Sequence, residues 1–310
     1  MTAKQNAVVC LDVGGTEIKA APVGLEGVLL SPIHYFPADS GRGKEELLTH
    51  FAQIVLALAR QVEGIPVTGV HLAFPGPFDY EKGISLMQGL DKYDALYGVD
   101  LRQELLQRLS GAGLEGLEGK DIRFINDVSA FALGEMYFGN ARDAEKAMFI
   151  CIGTGCGSAF GVEGRLADES TPGVPPKGYV YPVPFLDSCI DDYLSKRGLL
   201  RLTREMLGEP LEGKELAQRV HDGDTRAQQC FLRFGERIRD AMAPFLREFQ
   251  PQCLCLGGQI TKSGPLFLGP LRALCQEQGV NLHITADTSQ KAIQGLSRLS
   301  LDVIRGGTGS

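Results

Sequence analysis

The amino-acid sequence predicts an α/β protein with two lobes, and three observations lead to that prediction. Short apolar runs typical of strands alternate with segments of helical periodicity along the 310 residues. A glycine turn after an apolar run occurs twice, since shifting Val13–Thr16 by 139 positions aligns it with Ile152–Gly155. A repeat of this length is a domain-sized unit and not a solenoid period. No low-complexity linker separates the halves, so we expect a hinge and a central cleft.

The two halves follow the same plan of strands and helices. The first half predicts strands at 7–13, 17–23, 26–36, 67–73 and 122–125, and helices at 44–60, 101–109 and 126–137. The second half predicts strands at 146–152, 157–162, 254–256 and 281–285, an irregular stretch at 172–184, and helices at 187–197, 213–221, 224–249, 266–277 and from 290 onward. We therefore expect an N-terminal lobe over 1–125 and a C-terminal lobe over 126–289, with a C-terminal helix over 290–305 that packs back on the first lobe.

Composition excludes several classes of partner. The formal net charge of −7 argues against nucleic acid, because phosphate backbones require a basic face. No segment approaches the roughly 18 apolar residues of a membrane span. The first strand begins within about six residues of the start, which leaves no room for a signal peptide or a winged-helix module. These observations predict a cytoplasmic protein.

The eight cysteines predict reduced, buried thiols. No pair is spaced as C-x-x-C, no histidine lies at metal spacing, and several cysteines fall inside apolar runs. We therefore expect no zinc site and no disulfide framework.

The first glycine turn carries candidate phosphate and metal ligands. Asp12 directly precedes Gly14, Gly15 and Thr16, so its carboxylate should face the predicted cleft. Glycine permits close backbone approach, and successive N–H groups of such a turn can bind one anion. Asp12 is either a Mg²⁺ ligand acting through water or an aspartate that stabilises the turn. Lys19 on the returning strand either reaches a phosphate or is solvated.

A polar pair follows the short strand at 122–125. Either residue could cap the following helix, yet a cap needs only one of Asn126 and Asp127. Open α/β folds place ligand groups at the carboxyl ends of strands. Asp127 is thus a candidate general base for phosphoryl transfer.

The second half carries two further glycine motifs. Gly153, Thr154 and Gly155 could donate N–H groups to distal phosphates, although hairpin turns use the same residues. Gly257 and Gly258 either admit an adenine ring or form a sharp strand-to-helix turn. The chain contains neither a P-loop motif nor a strand–G-x-G-x-x-G–helix unit.

In this order, the motifs resemble those of the ROK family of sugar kinases and repressors, within the actin/hexokinase/Hsp70 ATPase superfamily. The resemblance covers nearly the whole chain. It is carried by Leu11–Ala20, Ala73–Asp79, Asn126–Glu135, Ile152–Gly157 and Leu256–Gly258.

The resemblance implies an actin-like ATPase fold in which Mg²⁺ and ATP occupy the cleft and a sugar hydroxyl accepts the γ-phosphoryl group. Asp127 would be the base and Asp12 would position Mg²⁺, while Asn126, Gly76 and Gln88 would contact the sugar. The two glycine turns and Lys19 would bind phosphates, and Gly257 with Gly258 the adenosine. The family also implies a homodimer.

The acceptor side departs from the family. The expected Glu-x-Gly-His segment reads Thr171–Val180, the zinc motif after it is missing, and Gln88 stands where Asn is usual. The sequence therefore leaves three functions open: a kinase for a hexose or N-acetylhexosamine, a kinase for a non-sugar alcohol, and a sensor without catalysis. A repressor is not expected, since the chain shows neither a DNA-binding extension nor a basic face.

Overall fold

The computed structural model describes residues 6–300, which form two compact units. The first unit runs to Phe138 and takes up the chain again from Ser289, and the second runs from Gly139 to Thr288. The first unit thus continues past residue 125, the expected boundary, and includes the helix that follows. Residues 301–305 of the expected C-terminal helix lie outside the described residues.

Alternating strands and helices build both units, as predicted. The elements before Gly139 are β1 (Ala7–Val13), β2 (Glu17–Gly24), β3 (His34–Pro37), α1 (Lys44–Gln61), β4 (Val67–Ala73), β5 (Phe78–Asp79), β6 (Ile84–Ser85), α2 (Leu101–Ser110), β7 (Ile122–Ile125) and α3 (Asp127–Phe138). The later elements are β8 (Lys146–Ile152), β9 (Cys156–Val162), β10 (Arg165–Leu166), β11 (Pro184–Phe185), β12 (Ser188–Cys189), α4 (Ile190–Tyr193), α5 (Lys196–Leu207), α6 (Gly213–His221), α7 (Thr225–Phe249), β13 (Cys253–Gly257), α8 (Gly264–Phe267), α9 (Gly269–Glu277), β14 (Asn281–Ile284) and α10 (Thr288–Leu296).

The main sheets of the two units share one topology. The first has the order β3-β2-β1-β4-β7 and the second β10-β9-β8-β13-β14. In each sheet the first three strands are antiparallel and the last two run parallel to the third. The glycine turns join β1 to β2 and β8 to β9, which accounts for the repeat in the sequence. Each unit buries its own apolar core.

Three predicted elements differ from the structure. The strand expected over 26–36 is confined to β3, because Gly27 turns the chain with φ of 78°. The helix expected over 187–197 is broken into α4 and α5, since Ser195 accepts the Gly198 N–H at 3.3 Å and so caps a new helix. The helix expected over 266–277 is interrupted at Leu268, between α8 and α9.

Helix α10 belongs to the first unit through a close crossing with α3. A Cβ atom on Gly134 would lie 1.9 Å from the Lys291 carbonyl oxygen, and one on Gly295 would lie 2.0 Å from that of Ala130. Only glycine permits this backbone approach. His71 on β4 adds a second attachment, because its Nδ1–H donates to the Leu296 carbonyl oxygen at 2.6 Å.

None of the helices formed within residues 6–300 has the length and apolar character needed to cross a membrane.

Candidate active site

The first glycine turn is a short β1–β2 connection with free backbone donors. Gly14 donates its N–H to the Glu17 carbonyl oxygen at 3.0 Å, which closes the turn. Within residues 6–300, the N–H groups of Gly15 and Thr16 have no protein acceptor. Both residues are exposed. The turn can therefore offer two adjacent N–H groups to an anion.

Two side chains from other segments hold this turn in place. The Tyr93 hydroxyl donates to the Gly14 carbonyl oxygen at 2.7 Å, and the Ser40 hydroxyl donates to that of Gly15 at 2.7 Å. The Tyr93 N–H in turn donates to the Ser40 carbonyl oxygen at 2.7 Å. The turn carbonyls thus point toward protein donors.

Asn126 takes one of the two roles that the sequence allowed for this pair, the helix cap, and the role of Asp127 as a base stays a prediction. The Asn126 side-chain oxygen accepts the Val128 N–H at 3.0 Å, so Asn126 is the N-cap of α3. Asp127 is the first helical residue and is exposed to solvent, while its Oδ1 also accepts the Val128 N–H at 2.9 Å. Both side chains accept the same N–H, and because Asn126 could accept it alone, capping does not require a carboxylate at position 127.

The electrostatic surroundings of Asp127 suit a proton acceptor. Although solvent reaches the Asp127 side chain, the protein around it still partly desolvates the carboxylate and raises its pKa above the ordinary value. The Val128 N–H, the positive charge of Lys92 and a hydrogen bond from Asn126 act in the opposite direction and lower that pKa. A carboxylate whose pKa lies nearer to neutrality is a better base for a substrate hydroxyl.

Asp12 and Lys19 lie opposite each other on β1 and β2. Asp12 is half-buried at the end of β1, beside the glycine turn. Its carboxylate is the type of oxygen ligand that Mg²⁺ prefers, and protein sites for Mg²⁺ need only one or two carboxylates besides phosphates and water. Lys19 donates from Nζ to the Ser289 hydroxyl at 2.8 Å, so a phosphate contact would require it to leave that partner.

The second glycine turn repeats this arrangement between β8 and β9. Gly153 donates its N–H to the Gly155 carbonyl oxygen at 2.9 Å. In the described part of the chain, the N–H groups of Thr154 and Gly155 have no protein acceptor. The next N–H, that of Cys156, is taken by Asp191 Oδ1 at 2.6 Å. The second turn therefore also offers two adjacent N–H donors.

Gly257 ends β13, and Gly258 follows it where the chain passes close to the end of β8. A Cβ atom on Gly258 would lie 2.2 Å from the Ile152 carbonyl oxygen, and φ at Gly258 is 97°. The Gly258 N–H donates to Thr288 Oγ1 at 3.0 Å. Protein contacts thus account for the glycine at 258, as the strand-to-helix interpretation predicted, and adenosine binding stays a prediction.

The predicted acceptor residues are exposed. Gly76 follows β4 and Gln88 follows β6. The segment 171–180 has no strand or α-helix and forms a 3-10 turn at Pro176–Gly178. The buried Ser158 hydroxyl donates to the Gly178 carbonyl oxygen at 2.6 Å and accepts the Val180 N–H at 2.8 Å. Hydrogen bonds to β9 therefore fix this segment, although it lacks the Glu and His of the family pattern.

Among residues 6–300, no group of three or more His, Cys, Asp or Glu side chains has a geometry that could hold a metal ion. All eight cysteines lie within the described residues, and none of them forms a disulfide.

The sequence did not indicate four residues that lie near the turns: Ser40, Lys92, Tyr93 and Asp191. Ser40, Lys92 and Tyr93 lie in irregular segments without periodicity. Asp191 lies in α4, which was predicted as part of a longer helix. No signal in one sequence links any of them to a turn far away along the chain.

Comparison with known proteins identifies relatives of this arrangement. A model of the ROK family matches residues 8–292. The glucokinase of Thermotoga maritima is 25% identical over 286 residues, which cover 86% of this chain and 86% of that protein. The DNA-binding transcriptional repressor Mlc of Escherichia coli is 20% identical over 270 residues, which cover 81% of this chain and 63% of that protein.

A solved structure shares the fold. A ROK family glucokinase from Streptomyces griseus, in complex with glucose and AMPPNP, matches with a TM-score of 0.71 and 20% identity over 95% of this chain and 99% of that chain. The match confirms the predicted fold class, an α/β actin-like fold.

Proposed function

The chain belongs to the ROK family, and on that premise we propose that it transfers the γ-phosphoryl group of ATP to a hydroxyl of a hexose or N-acetylhexosamine. The observation that carries the proposal is the division of roles at the start of α3. Asn126 caps the helix, and Asp127 presents a solvent-reachable carboxylate with a raised pKa. A helix start without a chemical task would need only the cap.

In the proposed reaction, Asp127 accepts the proton of the acceptor hydroxyl. The hydroxyl oxygen forms a bond to the γ-phosphorus, the bond from that phosphorus to the β–γ bridging oxygen breaks, and ADP leaves with the electron pair. Asn126, Gly76 and Gln88 orient the acceptor. Positioning and electrostatic stabilisation supply most of the catalysis in such transfers.

Each unit, taken by itself, contains backbone N–H groups that we propose as phosphate contacts. The first unit supplies the N–H groups of Gly15 and Thr16, with Gly14 shaping the turn and Lys19 as a further cation. The second unit supplies those of Thr154 and Gly155, with Gly153 closing that turn. Gly257 and Gly258 are the proposed adenosine contacts. Bound Mg²⁺ would neutralise phosphate charge, and Asp12 would hold it.

A non-catalytic sensor is the second candidate function. It is favoured by the replaced Glu-x-Gly-His segment and by the similarity to a repressor. A kinase for a non-sugar alcohol agrees with the same replacement. A sensor would release no ADP from ATP, and the other kinase would phosphorylate a non-sugar alcohol instead of a sugar.

ADP release from Mg-ATP tests the proposal, with purified protein and a panel of hexoses, N-acetylhexosamines and polyols. We expect activity with one sugar class and its loss in Asp127→Asn, a variant that retains an oxygen acceptor for the Val128 N–H. Asp100→Asn is the matched control, because Asp100 caps α2 outside the site. ATP binding without ADP release would favour the sensor, activity only on polyols would favour the other kinase, and an active Asp127→Asn variant would refute the assigned base.

A further inference from the structure

Lys92 lies between two residues with left-handed backbone conformations. The φ angle is 55° at Asp91 and 56° at Tyr93. Such angles are uncommon outside glycine, and for a bulky aromatic residue they are costly. Backbone strain of this kind persists where surrounding contacts impose it, often at functional sites.

The contacts that impose it are those of the first glycine turn. Tyr93 is fully buried, and its hydroxyl and N–H bond to Gly14 and Ser40 as described above. These two hydrogen bonds hold Tyr93 against the turn, and the half-buried Lys92 side chain next to it lies across the turn. A Cβ atom on Gly15 would lie 3.7 Å from Lys92 Cδ. The lysine stem therefore covers the residue whose N–H is free for an anion.

The Lys92 ammonium forms no ion pair with the residues that the structure describes. Among residues 6–300 no carboxylate lies within ion-pair distance of it and no hydrogen bond fixes it. The positive charge of Lys92 nevertheless acts on the Asp127 carboxyl and lowers its pKa. The same cation is thus close to the phosphate turn and acts on the base.

We propose that Lys92 is a further catalytic residue, whose ammonium binds the γ-phosphoryl group while it passes from ATP to the acceptor. Lys92 forms no covalent bond in this step. Its N–H donors contact non-bridging oxygens, on which negative charge is spread in the transition state. The inference rests on the proposed kinase function and adds to it a cation from this chain.

Two affinities and one rate test the proposal. The dissociation constants of Mg-ADP and of Mg-ADP with aluminium fluoride, a mimic of the transferred phosphoryl group, are measured by calorimetry for the wild type and for Lys92→Met, Lys92→Arg and Lys82→Met. Lys82 is an exposed lysine of the same unit that pairs with Asp79 and serves as the control.

We expect Lys92→Met to weaken aluminium-fluoride complex binding and to lower kcat by about 10²-fold, the effect of losing one oriented donor. Mg-ADP affinity should change by less than about threefold, and Lys92→Arg should restore part of both losses because it keeps the charge. Lys82→Met should behave as the wild type.

The outcomes separate this proposal from the kinase proposal. Equal losses of both affinities in Lys92→Met, or no loss of either, would overturn the role of Lys92. A wild type that binds the aluminium-fluoride complex but phosphorylates no acceptor would refute the kinase proposal, and the two affinities would still decide on Lys92. A wild type that binds neither complex would overturn both.

Discussion

Tyr93 donates its hydroxyl hydrogen to the Gly14 carbonyl oxygen at 2.7 Å, across 79 positions of sequence. Tyr93→Phe keeps the ring and removes the donor, so the carbonyl loses its partner. We expect the free energy of unfolding to fall by about 1–3 kcal/mol and the KM for ATP to rise several-fold. Urea unfolding and initial rates measure the two quantities. Tyr35→Phe, at an exposed tyrosine on β3, should change neither, and an unchanged KM in Tyr93→Phe would mean that the turn holds its shape without this bond.

Asp191 is expected to be a positioning residue of the second turn. Its Oδ1 accepts the Cys156 N–H at 2.6 Å and its Oδ2 pairs with Arg197 at 2.5 Å. Asp191→Ala leaves that N–H without its acceptor and should cost about 1–3 kcal/mol, with weaker Mg-ADP binding. Arg197→Ala removes the ion pairs of an exposed arginine with Asp191 and Asp192 and should cost less than about 1 kcal/mol. Urea unfolding with calorimetric titration of Mg-ADP compares the variants, and equal effects would contradict a role for the Cys156 contact.

The pH dependence of kcat/KM should report Asp127. The base must be ionised in the free enzyme, and desolvation raises its pKa above the ordinary value. We therefore expect kcat/KM to fall as pH decreases, with an apparent pKa above the roughly 3.9 of an ordinary aspartate. A rate profile over acidic and neutral pH measures it, provided that circular dichroism shows a folded protein throughout. An apparent pKa at or below the ordinary value would contradict the assigned environment.

The α3–α10 crossing should not tolerate a side chain. Gly134→Ala would place a methyl group against the Lys291 carbonyl oxygen, where the available distance is 1.9 Å. Separating two packed backbones should cost about 1–3 kcal/mol or more. Gly41→Ala is the control in the same unit, because a Cβ atom there meets nothing within 4 Å. Thermal and urea unfolding of both variants measure the difference, and similar stabilities would show that the crossing can open at little cost.

His71 should make the stability of the protein depend on pH below neutrality. Burial lowers its pKa to about 4 from 6.5, so between those values the unfolded chain binds a proton that the folded chain does not. The free energy of unfolding should therefore fall as pH decreases through this window, by about 3 kcal/mol in total. Below pH 4 this contribution is constant.

A neutral replacement isolates the effect of His71. His71→Asn keeps a side-chain N–H that can donate to the Leu296 carbonyl oxygen, so urea unfolding from pH 7 to pH 4 should show a shallower pH dependence in this variant. His221→Asn, at an exposed histidine of α6, should keep the wild-type dependence. Parallel curves for the wild type and His71→Asn would exclude His71 as the source.

The sequence predicted most of the fold because its signals are local. Helix α2, predicted over 101–109, illustrates this, since it begins after a local cap in which the Asp100 carboxylate accepts the Gln103 N–H at 3.0 Å. The repeated glycine turns likewise indicated two units with equivalent sheets. The helix expected over 187–197 was wrong, because the cap at Ser195 divides an apolar pattern that reads as continuous.

The sequence singled out candidate site residues only where one short segment contains the information, and their roles stay predictions. Asp12, Asn126 and Asp127 lie at strand ends, where periodicity gives way to polar residues. Tyr93 and Ser40 act through bonds to carbonyl oxygens of the first turn, 79 and 25 positions away. Such pairings arise from tertiary packing, and neither propensity nor spacing encodes them.

The discontinuous first unit has a consequence for the order of synthesis. The residues from Gly139 to Thr288 are synthesised before α10 is complete. Domains generally fold as units, so the first unit cannot finish folding until the chain beyond Thr288 is available to pack on Gly134. A chain that ended directly after Thr288 would keep residues 139–288 of the second unit but would leave uncovered the surface of α3 on which α10 packs.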